Sequence, residues 1–242
     1  MLIPKNIIVN ADDIGLSQSV NRAILYSYQQ GYINSTSLLT NMDDFDDAVK
    51  IIRKHPEIIN IGVHGNFAEG KPLTDFAAQQ FLTADGSWNV TKTAKLLQLL
   101  DTRSKAAFKN ELNAQIEKAL AVNVNISHLD SHLHLHTLPA FYALYIEAAK
   151  KYDLKLRLAQ TYSEGSYIKF AYRKYINNKI KSAGIAHSVF FETVDKFLGN
   201  PDRQMDRPVE IMVHPDFNDD GKLIDHVDST SMSKWMTFVK GK

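Results

Sequence analysis

Short runs of branched apolar residues alternate along the chain with longer stretches in which apolar residues recur every three to four positions. The short runs are typical of strands that are buried on both faces of a parallel sheet. The longer stretches have the period of an α-helix with one buried face. Their alternation predicts a parallel sheet covered by helices. The seven predicted strands are residues 7–9, 35–39, 58–64, 125–132, 155–159, 187–191 and 209–214.

The predicted helix boundaries are marked by residues that commonly start or end helices. Ser17 can cap a helix that Gly31 ends, and Asp43 or Asp44 can open a second helix that Pro56 ends. The other predicted helices are residues 91–100, 104–121, a stretch that follows residue 139, 167–182 and 231–239. Residues 67–91 lack a clear period, which predicts a long loop or lip.

The length of 242 residues fits one α/β barrel better than two ordinary domains. Seven parallel strands are compatible with a barrel or with an open, doubly wound sheet. We therefore expect a single catalytic domain over residues 1–242, with the loop at 67–91 as an insertion.

The composition narrows the class of protein. The 28 basic and 27 acidic residues give a net charge of +1, which leaves no electrostatic footprint for nucleic acid. The chain has no cysteine, so disulfides, thiolate metal sites and cysteine nucleophiles are excluded. The first residues lack the pattern of a signal peptide, and no apolar run has membrane-spanning length. We expect a soluble, cytoplasmic protein.

The segment 128–136 carries an ionisable residue at every second position, namely His128, Asp130, His132, His134 and His136. In an extended strand all five side chains point to one face, whereas in a helix His128, His132 and His136 form one row. Four of the chain's nine histidines lie in this segment. Because histidine and aspartate are usual ligands of catalytic metals, the segment predicts a metal or acid/base site rather than a solvated strand.

Other ionisable residues follow the ends of distant predicted strands. Asp12 and Asp13 follow the first strand, His64 ends the third, and His214 ends the seventh. The carboxyl ends of parallel strands share one edge, where active sites of α/β proteins are built. We therefore expect these residues and His132 to line one pocket.

One carboxylate and two imidazoles with open coordination positions suit a divalent ion that activates water. Asp12 and Asp13 cannot point the same way in an extended strand, so one can bind the ion while the other acts as general base. Arg157 can keep the basic aspartate ionised, although a surface salt bridge explains a lone arginine equally well. His214 can protonate a leaving amine or can be a structural histidine, and Asp130 can fix the tautomer of a histidine.

Four segments resemble, in order, the motifs of the YdjC-type carbohydrate deacetylases. They are Val9-Asn-Ala-Asp-Asp-Ile-Gly-Leu-Ser17, Ile61-Gly-Val-His-Gly-Asn66, His128-Leu-Asp-Ser-His132 and Met212-Val-His-Pro215. The resemblance covers nearly the whole chain and implies a distorted seven-stranded β/α barrel, similar to that of the polysaccharide deacetylases. It also implies metal-dependent hydrolysis of an N-acetyl group on a sugar.

Carried over by motif, the resemblance implies Asp13, His64 and His132 as metal ligands, Asp12 as the base and His214 as the acid. The residues expected to support them are Asp130, His128 and Arg157. The implied cofactor is one divalent ion, Mg or Zn. Two imidazoles favour zinc, whereas members of the family are commonly described with magnesium.

Two other functions remain open from the sequence. One is a metal-dependent phosphoesterase on a similar barrel, although such enzymes often have a His-X-His pair where this chain has Asp12 and Asp13. The other is a non-catalytic sugar-binding or regulatory protein, which the intact aspartates disfavour. The expected partner is an N-acetylated amino sugar or short oligosaccharide, phosphorylated forms included, and a homodimer is left open.

Overall fold

The computed structural model describes residues 3–200 and 207–241, in which seven strands form one curled, all-parallel sheet in the order β5-β4-β3-β2-β1-β7-β6. A short antiparallel hairpin, β8–β9, lies outside this sheet. The strands are β1 (Ile7–Ile14), β2 (Ser35–Leu38), β3 (Ile61–Gly65), β4 (Ile126–Ser131), β5 (Lys155–Leu156), β6 (Phe190–Thr193), β7 (Val209–Val213), β8 (Pro215–Phe217) and β9 (Leu223–Asp225).

Helices follow most strands of the sheet, as the alternating pattern predicts. They are α1 (Gln18–Gln29), α2 (Phe45–Lys54), α3 (Val90–Thr93), α4 (Thr102–Ala121), α5 (Tyr142–Lys151), α6 (Tyr167–Ser182), α7 (Val194–Leu198) and α8 (Ser231–Lys240). The predicted start of α1 is confirmed, because the Ser17 hydroxyl accepts a hydrogen bond from the Val20 amide at 3.2 Å. None of the helices in the described ranges is both long and apolar enough to cross a bilayer.

The sheet curls into a barrel that is distorted at the meeting of its two outer strands, β5 and β6. No strand pairing joins these two strands in the described part of the chain. Single hydrogen bonds of the flanking segments bridge them instead, from the Leu156 amide to the Ala186 carbonyl at 3.0 Å and from the Thr161 amide to the Phe191 carbonyl at 3.1 Å. The predicted α/β class and the distorted seven-stranded barrel are confirmed.

Several predicted elements are wrong in extent. The first strand runs on past residue 9 to Ile14, so Asp12 and Asp13 lie within it rather than after it.

Two other elements are much shorter than predicted. The fifth strand stops at Leu156 rather than at Ala159, because the Asn177 side chain takes both the amide and the carbonyl of Ala159, at 2.8 and 3.0 Å. The predicted helix 91–100 is reduced to Val90–Thr93. Three of its four leucines are exposed, so a longer helix would bury too little apolar surface to be stable. The exposed leucines are Leu96, Leu97 and Leu99.

Gly62 in β3 packs directly against the ring of His128 in β4. A Cβ atom at position 62 would lie 2.4 Å from both Cδ2 and Nε2 of that ring. Gly62→Ala is therefore expected to destabilise the protein by about 1–3 kcal/mol, as overpacked cores do. Urea unfolding measures the loss. In a His128→Ala background the same substitution should cost clearly less, and an unchanged cost would contradict the clash.

Candidate active site

The carboxyl ends of β1, β3 and β4 bring five of the predicted residues into one buried cluster. One ligand atom each from Asp13, His64 and His132 lies within 4.8 Å of the others. Asp12, His64 and Asp130 form a second group with the same limit. The expectation that distant strand ends meet at one edge therefore holds for these residues.

Both aspartates of β1 reach this cluster because the strand is irregular at its end. The φ angle of Asp13 is 76°, in the left-handed region, and the pairing of β1 with β2 shifts between Ala11 and Ile14. The Asp12-Asp13 pair is therefore not fully extended, and the geometric argument that holds for an extended pair does not apply to it. A left-handed conformation costs a non-glycine residue about 1–3 kcal/mol, so the contacts of the cluster must compensate it.

Asp13 is surrounded by imidazoles. Its Oδ1 atom lies 2.8 Å from His132 Nδ1 and 3.2 Å from His64 Nε2, and its Oδ2 atom lies 3.5 Å from His226 Nε2. Burial opposes ionisation of this carboxyl, yet the hydrogen bonds from the histidines hold the pKa of Asp13 well below its usual range. The carboxylate is therefore ionised and needs positive charge beside it.

His64 joins Asp13 to a second carboxylate. Its Nδ1 atom is 2.8 Å from Asp130 Oδ1 and 3.1 Å from the hydroxyl oxygen of Ser37. Burial would lower the pKa of His64, but Asp130 and Asp12 raise it to about 10. In the protonated imidazole Nδ1 donates to Asp130 and Nε2 faces Asp13 as a donor. A cation that replaced the Nε2 proton would leave the Nδ1 bond to Asp130 in place, which is the usual arrangement of a metal-binding histidine and its supporting carboxylate.

His132 lies one residue beyond the end of β4. It faces Asp13 through Nδ1 and the Glu69 carboxylate through Nε2, at 3.3 Å. Burial would lower the pKa of His132, whereas Asp13 and Glu69 raise it to about 9. With the ionised Asp13, the two histidines form a donor set of one oxygen and two nitrogens that fits a divalent cation, because a cation supplies the positive charge that two imidazole protons otherwise supply.

The alternating pattern of residues 128–136 does not continue past Ser131. Leu133 and His134 have φ angles of 52° and 54°, so the chain turns away from the extended geometry at this point. The extended alternative for residues 128–136 therefore holds only as far as Ser131, and His134 and His136 lie past the end of the strand. His134 packs beside Phe191, and His136 Nδ1 lies 2.7 Å from the Ser131 hydroxyl oxygen.

His128 lies inside the barrel and reaches Asp12 indirectly. Its Nε2 atom is 3.1 Å from Asn10 Oδ1, and the Asn10 amide donates to Asp12 Oδ1 at 2.7 Å. Burial lowers the pKa of His128 to about 4, so this imidazole is neutral. His128 is therefore linked to Asp12 through Asn10 and adds no charge to the cluster.

Arg157 is buried among three carboxylates in the barrel interior. Its Nη1 and Nη2 atoms lie 2.7 Å from the two oxygens of Asp12, Nη2 lies 2.7 Å from Asp130 Oδ2, and Nε lies 2.5 Å from Glu210 Oε1. The alternative of a surface salt bridge is wrong. Burial opposes ionisation of Asp12, but Arg157 and then His64 lower the pKa of its carboxyl.

His214 follows β7 and faces Asp12 from the other side, with Nε2 at 3.9 Å from Asp12 Oδ2. The Asp225 carboxylate accepts from the backbone amide of His214 at 2.7 Å and lies 3.4 Å from the Nδ1 atom of His214. Burial would lower the pKa of His214, whereas Asp225 and Asp12 raise it. The imidazole is thus held in place and favoured in its protonated form.

Two cavities lie at opposite ends of the barrel. One of about 390 Å³ is lined by His214, Asp225, Tyr162 and other residues at the carboxyl ends of the strands. The other, of about 240 Å³, lies against Lys5 at the amino ends. Because active sites of parallel α/β proteins lie at the carboxyl ends, the cavity beside His214 is the candidate for substrate binding.

Several residues that contact the site were missed from the sequence, among them Asn10 and Asp225. Glu210 had a usable signal, since a carboxylate inside the apolar run of β7 must be buried and paired. Glu69 lies in an irregular segment without a period. His226 follows the short strand β9, which has no helical or parallel-strand context that would place it at the sheet edge.

The fold and the cluster define a class of protein: an α/β barrel with a candidate divalent-cation centre at the carboxyl ends of its strands. Residues 6–237 match the family model described as "YdjC-like protein". The chain belongs to this family.

Curated relatives of the chain are named carbohydrate deacetylases. A protein from Halalkalibacterium halodurans is 31% identical over 88% of this chain and 86% of its own length, and one from Listeria welshimeri is 33% identical over 88% and 82%. A protein from Vibrio parahaemolyticus is 35% identical over 62% of this chain and 58% of its own length. A candidate cellobiose-phosphate cleavage protein from Enterococcus faecalis shares the fold, with a TM-score of 0.68 at 21% identity over 88% of this chain and 82% of that one.

Arg157→Met is expected to destabilise the protein by about 3–5 kcal/mol, because three buried carboxylates lose their partner. The loss should shrink at acidic pH, where those carboxylates can take up protons. Urea unfolding at about pH 8 and about pH 5.5 measures both effects. Lys109→Met is the control, since its exposed pair with Glu147 is worth less than about 1 kcal/mol. Equal losses of stability in the two variants would contradict the conclusion that the buried ion pairs of Arg157 stabilise the fold.

In cation-free protein, stability is expected to fall by about 2–4 kcal/mol as the pH rises from about 6.5 to about 10. His64 and His132, with pKa values raised to about 10 and about 9, hold protons that the unfolded chain releases near pH 6.5. The stabilisation that these two protonated histidines give the folded state is complete below about pH 6.5. It is lost as the pH rises through the raised pKa values of about 9 and about 10. Urea unfolding in a chelator measures the slope, and a His64→Gln/His132→Gln variant with the same slope would refute this origin.

Proposed function

We propose that the protein is a metal-dependent hydrolase that removes the N-acetyl group from an N-acetylated amino sugar or short oligosaccharide, phosphorylated forms included. The observation that carries the proposal is the placement of Asp12 between Arg157 and His214, beside the donor set of Asp13, His64 and His132. The relatives named carbohydrate deacetylases support the choice of substrate. The described residues from both ends of the chain contribute to this one site, which supports a single catalytic domain.

Asp13, His64 and His132 would hold one divalent ion, zinc or magnesium. When bound, such an ion polarises the amide carbonyl and lowers the pKa of a coordinated water. Two imidazoles in the donor set favour zinc or another late transition ion over magnesium, which prefers oxygen ligands. Asp130 keeps Nε2 of His64 available by binding its Nδ1 atom.

Asp12 accepts the proton of the attacking water. Its lowered pKa keeps it ionised at neutral pH, and the two hydrogen bonds from Arg157 fix the plane of its carboxylate. Asn10 binds the same carboxylate from a third direction, at 2.7 Å. A carboxylate held in this way is ready to accept a proton without rotating, which is the advantage of a positioned general base.

His214 donates a proton to the amide nitrogen of the sugar as the bond between this nitrogen and the acetyl carbon breaks. Its raised pKa favours the imidazolium form, and Asp225 on Nδ1 directs Nε2 toward Asp12 and the adjoining cavity. An amine is a poor leaving group unless it is protonated, so the reaction needs an acid on this side. Asp12 and His214 therefore act as base and acid with Oδ2 and Nε2 3.9 Å apart.

The predicted lip contributes to the site through Glu69, which contacts His132 from residues 67–91. Glu69 is half exposed, so it stands at the boundary between the cluster and solvent. We propose that this segment forms a wall of the sugar-binding site. It is the part of the chain in which an irregular backbone can adapt to the shape of a particular sugar.

The zinc-loaded protein is expected to release acetate from at least one N-acetylated amino sugar in a panel of monosaccharides, disaccharides and their phosphates. Asp12→Asn should reduce the turnover by about 10²–10⁴-fold while cation binding, measured by calorimetry, is retained. Asp13→Asn should lose both. The exposed Glu147→Gln is the control and should match the wild type.

Other results of the same panel would contradict the proposal. Hydrolysis of an aryl phosphate without acetate release from any sugar would indicate a phosphoesterase. Binding of an N-acetyl sugar without turnover, equal in the wild type and in Asp12→Asn, would indicate a non-catalytic sugar-binding protein.

A further inference from the structure

The two carboxylate oxygens of Asp13 have different neighbours. Oδ1 faces His64 and His132, the two imidazoles of the proposed donor set, at 3.2 and 2.8 Å. Oδ2 points away from them and faces Nε2 of His226 at 3.5 Å. Asp13 itself is buried, whereas the His226 side chain is 25% exposed, so His226 meets the carboxylate from the solvent side.

The backbone fixes the position of His226 tightly. The residue directly follows β9, which pairs with β8 through Pro215 and Asp225. The His226 amide donates to the His214 carbonyl at 2.9 Å, and Asp225 accepts from the His214 amide at 2.7 Å. The last residue of the hairpin and the residue that follows it are therefore both bound to His214, the residue after β7, and this attachment places the imidazole of His226 beside the cluster.

His226 has no packing role that would explain its place. It neither belongs to the apolar core nor closes a helix, and the residue that follows it, Val227, is exposed. Its ring lies beside that of His214, with ring centroids 5.4 Å apart. The contact with Asp13 Oδ2 is the polar contact that its side chain makes among the described residues.

We infer that His226 is a positioning residue for the proposed cation site, an inference that rests on the proposed function. Its Nε2–H group, directed at Oδ2, opposes rotation of the Asp13 carboxylate and keeps Oδ1 between His64 and His132. Removing an outer partner of a metal ligand typically weakens metal affinity by about 10–100-fold. His226 acts through Asp13, so any side chain that places a hydrogen-bond donor at the position of Nε2 can take the same role.

Calorimetric titration with Zn²⁺ and Co²⁺ alone tests the inference. His226→Leu is expected to bind either ion about 10–100-fold more weakly than the wild type, because Oδ2 loses its donor. His226→Gln, whose amide can still donate to Oδ2, should recover most of the affinity. His226→Asn, whose amide is too short to reach Oδ2, replaces the leucine variant if that variant does not fold.

His55→Leu is the matched control. His55 also pairs with a carboxylate, Glu57 at 3.0 Å, and its side chain is 27% exposed, but it lies after α2 and outside the cluster. This variant should bind both ions as the wild type does. A weakening equal to that of His226→Leu would show that loss of any partly exposed histidine is enough, and would overturn the inference.

Three further results distinguish the possible failures. Wild-type affinity in His226→Leu overturns the role of His226 and leaves the cation site intact. Equal loss in His226→Leu and His226→Gln, with a change in the visible absorption of bound Co²⁺ in both, identifies His226 as a direct ligand and overturns the positioning role. If the wild type binds neither ion, the proposed cation site fails, and the assignment of His226 fails with it.

Discussion

The buried ion pairs of Arg157 are the interaction on which the rest of the site depends. The guanidinium group lies in the barrel interior and binds carboxylates carried by three different strands, at Asp12 in β1, Asp130 in β4 and Glu210 in β7. A buried charge is costly unless its partners are fixed around it. Once those partners are in place, the strands that carry them cannot shift relative to one another without leaving a charge unpaired.

This arrangement gives two neighbouring aspartates different surroundings. Arg157 neutralises Asp12, which therefore remains ionised without a cation, whereas Asp13 is neutralised by imidazoles that can exchange their protons for a metal ion. The left-handed backbone of Asp13 makes the separation possible, because it turns the second carboxylate toward His64 and His132. Adjacent residues of one strand can thus have separate chemical roles within a few ångströms.

The sequence was sufficient for the existence of the strands, for their alternation with helices and for the polar residues near their carboxyl ends, because period and burial are local properties. It was insufficient wherever a backbone irregularity decides the outcome. The turn at Leu133 and His134 ended the alternation that had grouped five ionisable residues, and the conformation of Asp13 could not be read from its residue type. Glu69 and His226 reach the cluster from an irregular segment and a short hairpin, whose positions depend on contacts with distant residues.

The pairing of β1 with β7 also has a consequence for how the molecule folds. β1 is an interior strand of the sheet, yet one of its two neighbours is separated from it by about 200 residues of chain. Such long-range pairing closes large loops and slows folding. The donors for a cation are carried by the first 132 residues, whereas Arg157, His214 and His226 follow later in the chain. A chain emerging from the ribosome therefore carries Asp12 and Asp130 before Arg157, which binds both carboxylates, has been made.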